Sequence, residues 1–270
     1  MVQPATGTTW NSAGLNDLYS SAAERGGLQA IAIRDNRGSA TNISPFEDDL
    51  TTVAWSPFAQ DGYPRKDLFA ARLVDGKWEM NAQPNEGFWY IGAQMEDGGA
   101  ERDPNTSSDD LKILQSNFPY DSTITEKSKS IRFVAVDTLK PLIHRLESDL
   151  PLADAQGNNL VPDIGEDDYF YGTPLDTDTV DRQIIAFYSK SVAGKPLYRA
   201  ELIPLCRLDS QASKKRTKTD PDTADLTYKY LPDPNFMIPD PRGGASLIPA
   251  YDGAWIVGPG WAEMRFTGGS

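Results

Sequence analysis

Helical periodicity of any strength occurs once in this chain. Between Asp137 and Leu150, the residues Leu139, Leu142, Ile143, Leu146 and Leu150 form one apolar stripe. Asp137 or Thr138 can cap such a helix. Pro141 falls in its first turn, where a missing N–H does no harm, and Pro151 ends it. A narrower stripe, Leu15, Leu18, Tyr19 and Ala22, stopped by Gly26–Gly27, predicts a short helix within an N-terminal arm over residues 1–27. Elsewhere the apolar residues come in short runs cut by turn residues, and the 270 residues include 20 Pro and 22 Gly. Such punctuation directs the chain to a mainly β fold with one flanking helix at about 137–150.

The strands follow from short apolar runs bounded by turn residues, with clean alternation in LTYKY (226–230). LQAIAIR (28–34) ends at the turn Asp35-Asn36-Arg37-Gly38, and DLFAARLV and KWEM flank Asp75-Gly76, a pair suited to a tight hairpin. GFWYIGAQM (87–95), LKILQSNF (111–118), SIRFVAV (130–136) and LTYKY (226–230) read as further strands. So do RQIIAFYSK and PLYRAELIPLCRL, joined by the turn SVAGK. Residues 96–110 and 153–181 read as acidic loops, the first carrying Glu96, Asp97, Glu101, Asp103, Asp109 and Asp110. From Leu231 to residue 270, six prolines and seven glycines prevent long elements. Trp255, Trp261 and Phe266 nevertheless mark this tail as an ordered arm that docks on something, with a neighbouring copy as one option. The expected organisation is therefore an arm (1–27), a β domain (28–230) and a Pro/Gly-rich arm (231–270).

Charge narrows the functions. With 26 Lys+Arg against 39 Asp+Glu the net charge is −13, which opposes ordinary nucleic-acid binding and adhesion to an anionic membrane. No apolar run is long enough to span a bilayer. The opening MVQPATGTTWNSAG has neither a basic start nor an apolar stretch, so no signal peptide is expected and the default compartment is the cytosol of the producing cell. The single Cys excludes an intrachain disulfide, and the single His excludes a histidine-rich zinc site.

The search for chemistry returns little. GxGxxG, Walker, HExxH and GxSxG motifs are absent. His144 reads as a helix-surface residue and Cys206 as a half-buried strand residue. The pairs Asp48-Asp49, Asp109-Asp110 and Asp167-Asp168 lie side by side in loops and read as solvated surface. The cluster Asp163, Glu166, Asp167 and Asp168 lacks the spacing of a calcium loop. The basic knot Lys214, Lys215, Arg216 and Lys218 is followed at once by Asp220, Asp222 and Asp225. It is therefore either neutralised locally or a charged contact for an acidic patch on a neighbour. No catalytic residue, cofactor or metal is expected. A carbohydrate-binding β-sandwich is the alternative suggested by 6 Trp and 11 Tyr, although the Trp residues are scattered.

The ordered set from Gly87 onward resembles a known family. An aromatic strand leads to Gly92–Gly98 (GAQMEDG). Then come a polar loop ending Ser-Ser-Asp-Asp-Leu-Lys, a strand, a polar turn, and a β segment running into a helix. The 182–209 hairpin and the Lys-rich to Asp-rich passage before LTYKYLPDPN complete it. This order is similar to that of the major tail tube proteins of long-tailed bacteriophages, in particular those infecting actinobacteria such as mycobacteria. The resemblance covers about 85–240. It implies a β-sandwich or rolled β-barrel whose copies form sixfold rings by strand addition, stacked into a hollow tube through which double-stranded DNA passes without specific binding. It also implies a structural, non-enzymatic virion protein assembled in the host cytoplasm. Its partners would be itself and the tail-tip or baseplate, tape-measure and tail-terminator proteins, with no membrane. A tail terminator or a type VI secretion tube protein is the related alternative. The acidic loop 96–110 would then be an inter-subunit or lumen element, and each ring would carry about −78.

Overall fold

The structure, a computed structural model, describes residues 27–75, 77–80, 87–96, 98–111, 114, 118–162, 168–175, 178–214 and 217–264, together with Thr6. The short helix expected at 15–22 lies outside them.

The fold is mainly β. Eight antiparallel strands form one sheet: β1 (Leu28–Asp35), β4 (Trp89–Tyr90), β5 (Glu101–Leu111), β6 (Asp121–Ala135), β7 (Arg182–Val192), β8 (Lys195–Gln211), β9 (Ala224–Tyr230) and β12 (Gly253–Val257). The order is β4-β1-β7-β8-β9-β6-β5, and β12 pairs with β8 in line with β9. Two small hairpins lie apart, β2 (Ala71–Val74) with β3 (Lys77–Met80), and β10 (Met237–Pro239) with β11 (Leu247–Pro249). The β2–β3 hairpin falls where its sequence predicts, with Val74 opposite Lys77 and Asp75 at φ +48°.

A long ladder joins β7 to β8. Its turn is tighter than the five-residue SVAGK expected: Val192 pairs with Lys195, and Ala193 and Gly194 make the corner at φ +51° and +77°. Two successive positive φ values give the turn whose twist matches the strands it joins.

The middle of the sheet is buried on both faces. Ile31, Ile33, Ile184 and Ala186 share one cluster with Phe133, Leu226 and Tyr228; Ala32, Ile185 and Phe187 share the other with Phe58, Phe88 and Phe236. Burial of alternate residues on opposite faces is why β1 and β7 read as continuous apolar runs. One edge strand is nearly bridged to the far side of the sheet. The Ile91 N–H donates to Ile31 O (3.1 Å), while the Met95 N–H reaches Val134 O (3.1 Å) and the Val134 N–H reaches Gly98 O (2.8 Å). Residues 91–98 thus bond both β1 and β6, although the strand ladder itself is not closed.

Helix α1 (Pro141–Glu147) covers the first cluster with Leu142, Ile143 and Leu146. It is half the length expected. Residue Lys140 precedes a proline and is extended (φ −69°, ψ 132°), as the proline ring demands. The helix therefore cannot begin at Asp137, which instead pairs with Lys140 at 2.6 Å, and Leu139 is left 90% exposed. The C-terminus closes before Pro151. Asp149 adopts φ +46°, its N–H donates to Leu146 O (3.2 Å), and the Leu150 N–H donates to Arg145 O (2.7 Å), the Schellman arrangement.

The C-terminal arm docks on its own subunit. Strand β12 pairs with β8 (Trp255 opposite Ala200), Phe236 is buried, Trp255 packs 5.6 Å from Phe46, and α2 (Pro259–Glu263) follows.

Two stability outcomes follow. Leu146→Ala is expected to cost about 2–5 kcal/mol in chemical denaturation, whereas Leu139→Ala costs less than about 0.5 kcal/mol; equal losses would refute the helix boundary. Removing residues 231–270 is expected to yield a subunit without a cooperative thermal transition, since it strips Phe236, Trp255 and the β12 ladder from the core. An unchanged transition would show the arm to be dispensable for folding.

Candidate assembly surface

The acidic segment read as a loop is a strand. Strand β5 pairs with β6 from Glu101↔Arg132 to Leu111↔Asp121, with a bulge at Ser107/Ser108. Every residue of β5 is exposed, as are the first seven of β6. No apolar alternation announces a strand that buries neither face, so its ladder alone defines it. Pro104 is tolerated because β5 is an edge strand. Of the predicted strand LKILQSNF, Leu111 closes β5, Leu114 lies in a turn and Phe118 in a bend, and the other residues lie outside those described.

Glu101, Asp103, Asp109 and Asp110 therefore stand along β5, Glu96 sits in the preceding turn, and Asp97 lies outside the described residues. From Asp103 to Leu111 the ribbon is nine residues long, so it reaches about 30 Å at 3.3 Å per residue. Among the described residues nothing pairs with the outer edge of β5. The Ser122 hydroxyl donates to Asp110 Oδ1 (2.7 Å) and the Thr125 hydroxyl to Ser107 O (3.2 Å), binding the two strands to each other.

The root of the ribbon is ionic and its tip is apolar. Arg102 pairs with Glu201 (3.1 Å) and Asp252 (2.5 Å), and Lys129 with Asp252 (2.9 Å). Arg132 pairs with Asp225 (2.6 Å) and Glu101 (3.1 Å), and these hydrogen bonds hold its guanidinium above its usual range. Asp252 leads into β12, so the root is fastened to the C-terminal arm. At the far end Leu111, Leu114, Phe118, Tyr120 and Ile124 are all exposed, Leu114 to 99% and Phe118 to 79%. Large apolar side chains exposed together on a folded chain mark a contact surface.

A second exposed apolar surface lies over α1. Tyr171 stacks on His144 at 3.7 Å between centroids and Tyr169 stacks at 5.8 Å. His144 is thus buried beneath an aromatic shelf, not on the helix surface as expected. Phe170 (92%) and Leu175 are exposed on the same segment.

The other residues singled out are structural. Trp255 anchors the arm to its own sheet, Trp261 on α2 is half-exposed, and Phe266 lies outside the described residues. Lys214 pairs with Glu147 at the end of α1 and approaches Asp222 (4.0 Å) of the Asp-rich flank; Lys218 is exposed, and Lys215 and Arg216 lie outside the described residues. Cys206 is fully buried, its Sγ–H donates to Arg182 O (3.5 Å), and burial pushes the thiol far up. Asp49 accepts the N–H groups of Thr51 and Thr52 and the Thr52 hydroxyl, which lowers its carboxyl to about 2. So low a value unfits it to donate a proton near neutrality. Asp168 is exposed, and the rest of the dense cluster Asp163–Asp167 lies outside the described residues. Among the described residues no group of three or more His, Cys, Asp or Glu is placed to hold a metal ion, and no helix is long and apolar enough to cross a membrane.

One buried network escaped sequence reading. Arg182, with no exposed surface, pairs with Asp35 and donates to Leu150 O (2.6 Å). Asp35 Oδ2 accepts the N–H groups of Leu152 (2.6 Å) and Ala153 (3.0 Å). Asp149 lies 3.7 Å from Arg182, and its burial raises its carboxyl pKa against the pull of that cation. The adjoining cleft of about 590 Å³ also carries Asp154, Asp178 and Asp181. Both oxygens of Asp35 are committed to the fold. The only sequence signal was an Arg opening an apolar strand, which composition cannot distinguish from a strand cap.

No protein-family model matches the chain, and no curated protein matches it.

Arg182→Met is expected to cost about 3–5 kcal/mol, because it leaves the Asp35 carboxylate buried without its counter-charge. A denaturant midpoint unchanged from wild type would show the network to be incidental.

Proposed function

We propose that this protein is a structural, self-assembling subunit, the major tail tube protein of a long-tailed bacteriophage, which builds the hollow tube through which DNA is ejected. The observation that carries this reading is the β5–β6 ribbon. An 11-residue edge strand, exposed throughout and ending in five exposed apolar side chains, is an aggregation liability in a monomer and an assembly device in an oligomer. A contact between two different surfaces of identical copies closes into a ring when the rotation permits.

The near-bridging of the sheet by residues 91–98 supports a rolled sheet of the kind tube subunits use. The −13 charge supports a conduit that double-stranded DNA traverses without sticking. The virion would be its final location and the host cytoplasm its place of assembly. Tail-tip, tape-measure and terminator proteins would be its partners. The residues that would carry assembly are Glu101, Asp103, Asp109 and Asp110 on the ribbon and the apolar tip beyond them.

The test is negative-stain electron microscopy of the concentrated protein beside a sizing column. Hollow tubes or stacked six-membered rings are expected. Single rings that never stack would favour a tail-terminator relative. A monomer at every concentration, with or without a purified tail tip to nucleate growth, would overturn the reading.

A further inference from the structure

The ribbon tip and the aromatic shelf are two exposed apolar surfaces of one chain, and their sizes match. An aromatic side chain carries about 150–250 Å² and an aliphatic one somewhat less, so the five tip residues offer roughly 600 Å² and Tyr169, Phe170, Tyr171 and Leu175 roughly 500 Å². With the strand edges that would come along, each approaches the ~800 Å² per partner of a stable protein interface. Their shapes are complementary in kind. The tip is a projection on a ribbon about 30 Å long. The shelf borders a cleft of about 200 Å³ between α1 and residues 169–172.

We propose that the ribbon tip of one copy seats on the Tyr169–Leu175 shelf of the next copy. The proposal deepens the tube-subunit reading and rests on it. Joining unlike surfaces makes the contact heterologous, so each copy presents a free tip and a free shelf and addition can continue or close. A tip-to-tip contact would instead stop at two copies. The tip is flanked by Asp109, Asp110 and Asp121, the shelf carries Asp168, and Arg145 lines the cleft beneath the shelf. With charge of both signs at the seat, apolar burial carries the contact.

The experiment uses the full chain and two variants at exposed positions, Leu114→Glu in the tip and Phe170→Glu in the shelf. Thermal transitions matching wild type establish that both variants fold. In sedimentation, the wild-type chain is expected to associate. Each variant alone is expected to associate at least tenfold more weakly. An equimolar mixture is expected to form a 1:1 pair that does not grow, because only one intact tip and its matching intact shelf remain. Wild-type assembly with either variant assembling equally well would overturn the seat and leave the tube reading standing. Should wild type stay monomeric, Leu114→Cys mixed with Leu175→Cys and a short bismaleimide separates the two ideas, since Cys206 is buried. A crosslinked pair would keep the seat and discard the tube; its absence would discard both.

Discussion

Arg182 is a guanidinium with no exposure to solvent, and such a group is tolerable only where opposite charge and hydrogen-bond acceptors surround it. Asp35 at the end of β1 supplies the charge, and Leu150 O, just past α1, takes another of its donors. The second oxygen of Asp35 holds the amides of Leu152 and Ala153. One ion pair therefore ties two central strands to the segment that leaves the helix. That segment places Leu152 and Val161 over the first core cluster and leads towards the aromatic shelf. The position of α1 on the sheet, and of the shelf on α1, depends on this buried pair because the helix itself is too short to be stable on its own.

At the opposite extreme stands the ribbon, which buries almost nothing. Two strands alone in water are marginal. What steadies this pair is its root, where Arg102, Lys129 and Arg132 bind Glu201, Asp252, Asp225 and Glu101. Glu201 is nearly buried on β8, so part of that anchorage is screened from salt. The proline at 104 and the carboxylates along β5 are the usual means of discouraging indiscriminate edge pairing. On the proposed reading, a long free edge that is protected by charge and ends in Leu, Phe, Tyr and Ile serves a specific partner surface, not a general stickiness.

Much of the framework was legible. β1, β7 and β8 followed from short apolar runs bounded by turn residues and β9 from its alternation, and the placement of Ile131, Phe133 and Ala135 on one face was correct. Burial wrote those patterns, so burial could be read back. Failure came where burial is absent or local sterics override periodicity. Strand β5 has no core face and so no alternation. The helix was overextended because a stripe of leucines ignores what Pro141 does to Lys140 and what Asp149 does in the left-handed region. His144 was misplaced because nothing in the 137–150 stripe announces that Tyr169 and Tyr171 return to cover it. The C-terminal arm was rightly read as ordered, but its partner is β8 of its own subunit, a pairing too distant in sequence for any local signal.

Fastening the arm at home has a consequence for assembly. Strand β12 occupies the stretch of β8 that β9 does not reach, which removes a candidate acceptor edge from the middle of the sheet. Among the described residues, unpaired edges remain along the outer side of β5, along Asp121–Lys129 of β6 beyond its pairing with β9, and on the side of β1 that the two-residue β4 leaves uncovered. Asp252 both leads into β12 and pairs with Arg102 and Lys129 at the ribbon root, so the strand that seals β8 and the base of the ribbon are held by one carboxylate. On the proposed reading, sealing β8 leaves the addition of copies to the projecting ribbon, which is what would separate ordered polymerisation from the aggregation to which exposed strands otherwise lead.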